Sequence, residues 1–116
     1  MERRFLRDED IVGADVFTSE GALLGQIHDL VVDRYTGHIR YVIIDFADFL
    51  GEVSPGSHHP LPWPMLTYDP NYDQYTLDVS EELLRNAPGY DAESFEDRDW
   101  ERRTHTYYKV WPYWAY

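Results

Sequence analysis

The chain contains no cysteine, so disulfides, thiolate metal sites and a cysteine nucleophile are all ruled out. A cysteine-free chain suits a reducing compartment, and a cytoplasmic location is expected. Nor is there any apolar run approaching the ~20 residues that a membrane-spanning helix needs. No run of Lys or Arg is longer than two, and 22 acids against 10 bases give a net charge of −12. That balance repels phosphate, so nucleic acid is not an expected partner, and anionic membrane surfaces are disfavoured. Arg3-Arg4 stands near the N-terminus, but Asp8-Glu9-Asp10 follows where an export signal needs an apolar segment.

Reaction chemistry is equally sparse. Gly51 and Gly56 are not followed by the Lys of a phosphate-cradling loop. Ser19, Ser54, Ser57, Ser80 and Ser94 fall in turns, loops or a cap, with no nucleophile elbow around them. With 22 acids in 116 residues, close carboxylate pairs arise by accident and do not mark a site. Asp69, Asn71 and Asp73 follow the opening of a calcium loop, yet Gln74 stands where that loop needs Gly and Ser80 where it needs Glu. Turn chemistry explains these three residues. His58 and His59 are adjacent, so on an extended chain they point to opposite faces and do not share a metal. His28 and His38 add no ligand spacing, and Asp33 with His38 reads as a cross-strand pair. The expectation is a protein that is not an enzyme and has no metal and no cofactor.

What is present is material for a core. Hydrophobic residues make up 43% and aromatic residues 16%, enough for one domain to bury roughly two-thirds of its unfolded surface. Residues 1–10 read as a charged N-terminal arm or a short capping segment. From Ile11 to Thr18, Val12, Ala14 and Val16 alternate as in a half-buried strand. A second strand is predicted over Leu23 to Asp33, with Gly25 inside it marking a bulge or sharp bend. Asp33-Arg34-Tyr35-Thr36-Gly37 is a tight connection, and His38 to Phe46 is the next strand. Its run Tyr41-Val42-Ile43-Ile44 has no polar break, which implies burial on both faces.

Ala47 to Ser57 reads as a loop. Pro60, Pro62 and Pro64 then withdraw donors from one side of an extended segment, the mark of an edge strand. A second hairpin spans Leu66 to Tyr68 and Gln74 to Val79. Ser80 reads as the cap of a short helix ended by Pro88-Gly89. Residues 91–99 are acidic and irregular. Beyond them Trp100, Thr104, Tyr107, Tyr108 and Trp111 form a helical stripe stopped by Pro112. Residues 100–116 hold seven of the chain's nineteen aromatics, too many to leave in water, so this tail should dock.

The order Gly21 to Asp33, Thr36-Gly37, then Ile39 to Asp45 resembles a PRC-barrel domain. Phe49-Leu50-Gly51, Pro60-Leu61-Pro62-Trp63, Tyr75 to Val79, Leu83-Leu84 and Ala87-Pro88-Gly89-Tyr90 extend the likeness. His105 to Tyr108 and Pro112-Tyr113-Trp114 are similar to the C-terminal extension of stand-alone bacterial members. The resemblance implies a mainly β fold: a small barrel of about six strands, a short helix and a helical aromatic C-terminal extension. It implies an arm at 1–10, a barrel domain at 11–91 and an extension at 92–116. The family includes the cytoplasmic domain of the photosynthetic reaction-centre H subunit and a domain of a ribosome-maturation factor. This chain lacks the first one's transmembrane helix and the second one's basic surface.

An adaptor or assembly module is therefore expected, with an unidentified protein partner and self-association as a homodimer. The expected contact residues are Trp63, Trp100, Tyr107, Tyr108, Trp111, Tyr113 and Trp114, because aromatic anchors carry interface energy. The alternatives are a soluble accessory of photosynthetic or electron-transfer complexes and a small-molecule or metal binder.

Overall fold

The computed structural model describes residues 5–53 and 56–115. Residues 1–4 of the expected arm, Ser54 and Pro55 of the expected loop and Tyr116 of the tail lie outside the described residues. Helix α1 (Asp8–Ile11) forms where an arm or cap was expected, and the Asp10 carboxylate accepts from the Arg7 N–H at 2.8 Å. Ile11 is thereby buried at the end of a helical turn instead of opening a strand, and Val12 is exposed. Strand β1 is accordingly short, Asp15–Phe17, three residues of the eight from Ile11 to Thr18 that the alternation predicts.

Strand β2 (Leu23–Val32) and strand β3 (Ile39–Asp45) form the expected hairpin. Its turn is set by Asp33, whose carboxylate accepts the N–H groups of Tyr35 and Thr36. Gly37 supplies the positive φ of 78°. Two bulges bend β2, one at Leu24 opposite Val16/Phe17 and one at His28 opposite Ile43/Ile44. Helix α2 (Ala47–Leu50) occupies part of the expected loop and buries Leu50.

Among the described residues strand β4 (His58–Pro62) pairs only with β3, so the proline-bearing segment is an edge as its missing donors require. A 3₁₀ turn at Trp63–Met65 takes Pro64 out of the strand and leads to β5 (Thr67–Asp69). Strand β6 (Gln74–Thr76) pairs antiparallel with β5 and parallel with β1. In the turn between them the Asp69 carboxylate accepts from the Asn71 N–H and Asp73 from the Tyr68 hydroxyl. Helix α3 (Glu81–Arg85) is capped by Ser80, whose Oγ accepts from the Leu83 N–H at 3.0 Å.

The fold is mainly β. The sheet order is β4-β3-β2-β1-β6-β5, and the sheet curls into a half-barrel. Among the described residues β4 and β5 are not hydrogen-bonded to each other; the 3₁₀ turn joins these two edges. The hollow is filled by Val16, Leu24, Ile27, Val42, Ile44, Leu61 and Leu77, with Leu84 of α3 closing one end. The C-terminal helix α4 spans Arg98–Tyr108. It stops three residues before the predicted end, because Lys109 turns into the left-handed region at φ 59°. Trp111 therefore leaves the stripe that Trp100, Thr104 and Tyr108 keep.

Candidate functional site

Strand β3 is buried on both faces as its unbroken apolar run requires. Val42 and Ile44 enter the half-barrel, while Tyr41 belongs to the opposite face and meets α4. The α4 face that covers it carries Trp100, Glu101, Thr104, His105 and Tyr108, all buried. Asp97 caps the helix by accepting from the Asp99 N–H. Trp100 is anchored by its indole N–H, which donates to the Gly89 carbonyl at 2.8 Å, and its ring meets Tyr41 and Phe95 edge-on.

Glu101 is a carboxylate only 4% exposed, and three donors hold it. The hydroxyls of Tyr41 and Tyr113 each donate to Oε1 at 2.7 Å, and Arg98 donates from Nε to Oε2 at 3.0 Å. A buried charge needs that degree of pairing. The Arg98 guanidinium also lies 4.0 Å over the Trp114 ring, and Arg40 lies 4.2 Å over the Tyr113 ring. Burial, then the hydrogen bond to Glu101 and its charge, pushes the Tyr41 phenol far above its ordinary range and Tyr113 up to about 12, so both stay protonated donors.

His105 extends the chain of contacts. Its Nε2 is 3.0 Å from the Tyr41 oxygen and its Nδ1 is 3.2 Å from the Val110 carbonyl. Burial drives its pKa down, against the opposing pull of the Val110 carbonyl and Glu101. A neutral imidazole that donates to Val110 can only accept at Nε2, so the single proton of Tyr41 is shared between His105 and Glu101.

A second cluster lies where β4 meets β3. His28, in its bulge, stacks on His58 at 4.1 Å. His58 Nε2 is 3.4 Å from Asp45 Oδ2, while Ser57 donates to Asp45 Oδ1 at 2.7 Å. Ser57 is thus bonded to a carboxylate and not to an imidazole. Burial raises the Asp45 pKa, but the Ser57 hydroxyl, the Ala47 N–H and His58 together hold it below the usual range. His59 points the other way, against Phe46, as alternation demands. Its Nε2 is buried without a partner, and burial lowers its pKa. Asp33 pairs by side chain with Arg40 at 3.4 Å; with His38 it shares only a backbone bond.

The expected contact residues separate into groups. Trp100 and Tyr108 are buried, and Tyr107 is half-buried with its hydroxyl donating to the Leu83 carbonyl. Tyr113 and Trp114 fold back over His105, with ring centroids 6.3 and 5.4 Å away. Trp63 sits against Tyr75 of β6 at 6.3 Å. Trp111 alone of the seven is in solvent, 75% exposed.

The residues missed in the sequence are Tyr41, Glu101 and His105. One signal could have found two of them: Glu101 and His105 are polar residues one position along from Trp100 and Thr104 on the buried stripe.

A family model described as PRC-barrel domain matches residues 3–84, from ahead of α1 through the buried Leu84 of α3. No curated protein matches the chain. Helix α4 and the tail lie beyond the matched span.

Proposed function

The chain belongs to the PRC-barrel domain family, and from that premise we propose that it is a non-catalytic binding module whose contact element is the C-terminal strap. The supporting observation is Trp111. Every other aromatic of the strap from Trp100 to Trp114 is at least half-buried against its own fold, while Trp111 is 75% exposed beside the shallow hollow formed by Thr106, Lys109, Val110 and Pro112. An indole presented three residues past the end of a packed helix has much apolar area left to cover. Trp is also among the residues that most often dominate an interface. A partner can reach Trp111 without unpacking the strap, whereas Trp100 and Tyr108 are inaccessible to it.

The first partner to test is a second copy of the chain. Light scattering should give twice the chain mass for the wild type and the single-chain mass for Trp111→Ala. Crosslinking in the native cell, read by mass spectrometry, extends the test to other proteins. A crosslinked set that Trp111→Ala leaves unchanged, together with unchanged self-association, overturns the reading.

A further inference from the structure

Between the β2–β3 turn and α4 lies a cleft of about 740 Å³, within the size range of small-ligand sites. Three of the chain's ten cations, Arg34, Arg40 and Arg98, line it, although the net charge of the whole is −12.

Arg40 is the telling residue. Its side chain is only 20% exposed, and its Nε is shut away from solvent with no acceptor. The contacts of its Nη2, to Asp33 Oδ2 and Thr36 Oγ1, are both 3.4 Å, at the outer limit for a hydrogen bond. One face of the guanidinium is covered by Tyr113, which leaves its edge for bonding. A guanidinium has five donors in one plane, and leaving them unpaired in a partly dry site is costly. Arg34, exposed at the rim, makes no ion pair among the described residues.

Three acids share the cleft, and two are already engaged. Glu101 is taken by Tyr41, Tyr113 and Arg98. Asp33 accepts from the turn N–H groups of Tyr35 and Thr36 and faces Arg40. Glu96 is exposed and is the one acid that opposes an incoming anion.

We propose that this cleft binds an oxyanion, with the terminal Nη1–Nη2 edge of Arg40 as the fork that grips it and Arg34 as the second cation. The planar fork matches a carboxylate or a phosphate with two parallel hydrogen bonds. Tyr113 supplies an aromatic surface beside the fork, suited to an aryl group behind a carboxylate. The site is independent of Trp111, so it stands or falls separately from the binding-module reading.

The test is a titration of the full chain with sodium benzoate, inorganic phosphate and sodium chloride, following the arginine Nε–H signals by NMR. The Arg40 signal should move saturably with benzoate or phosphate, with a Kd of about 1 mM or below. Whichever anion saturates first assigns the carboxylate or the phosphate class. Arg34→Ala, a surface change, should weaken binding about tenfold, the scale of one well-placed charge, and Arg102→Ala should leave it unchanged. Arg40→Met should abolish the saturable movement of the Arg34 signal; if that variant does not fold, Arg34→Ala decides. No saturable movement with either anion, a response that chloride reproduces, or one indifferent to Arg34→Ala overturns the proposal.

Discussion

At Gly25 the backbone of β2 runs so close to the end of β3 that a Cβ would stand 2.0 Å from the Asp45 carbonyl oxygen and 3.0 Å from its carbon. The obstacle is backbone, so no side chain can swing away to make room. Insertion of one methyl must pry β2 from the segment that also positions Phe46, which is fully buried, and the Ser57–Asp45–His58 cluster. Gly25→Ala is therefore expected to cost at least about 3 kcal/mol, the upper end for overpacking a filled interior. Gly37 is the control. It has a positive φ of 78° but open space around it, so Gly37→Ala should cost about 1–2 kcal/mol from backbone strain alone. Urea unfolding of the two variants checks the ranking. Equal losses would mean that the β2–β3 approach is looser than these distances show.

Helix α4 poses the next question, because two tryptophans eleven residues apart have opposite surroundings. Trp100 is 3% exposed, bonded to the Gly89 carbonyl and wedged against Tyr41 and Phe95. Trp100→Ala should cost about 3–5 kcal/mol. Trp111→Ala should stay within about 0.5 kcal/mol, as surface changes do. Thermal unfolding of both variants reads the difference, and a similar loss for both would mean that the strap packs otherwise than on its own sheet.

The sequence made this element only half legible. The aromatic stripe marked a helix that buries one face, but its arithmetic continued to Trp111 because nothing local signals that Lys109 turns left-handed. At the other end of the chain, alternation at Val12, Ala14 and Val16 overextended a strand that begins only at Asp15, after a helical turn that buries Ile11. The β2–β3 hairpin was readable because Gly25, Asp33, Gly37 and the apolar run at 41–44 each act locally. The Glu101 cluster was not, since a lone Glu and His read as surface and the phenol that holds both lies 60 residues upstream of Glu101 and 64 upstream of His105. The cleft around Arg40 exists only once α4 is laid across β3, which no local pattern foretells.

For the molecule as a whole, acid should act first through buried imidazoles. Burial lowers the pKa of both His59 and His105 below the 6.5 of an unfolded chain. The unfolded chain then takes up protons near pH 6.5 that the folded chain refuses, so stability falls as pH drops through that value and levels off below the folded pKa. Asp33 and Asp45 work in another window. Their pKa values are held down, Asp33 chiefly by the Tyr35 N–H, so their contribution is full above 3.8 and lost only at lower pH. Net charge opposes the histidine effect, because −12 shrinks on acidification and self-repulsion eases with it. Salt of about 0.5 M screens that repulsion and exposes the buried groups' share. Under those conditions Tm should be flat from pH 8 to 7 and fall from pH 6.5 to 5. His59→Leu should flatten the fall, since it keeps the contact with Phe46 and removes a ring nitrogen that has no partner. A slope unchanged in His59→Leu would place the acid sensitivity on His105 alone, and a flat profile in the wild type would show that neither imidazole is held neutral by the fold.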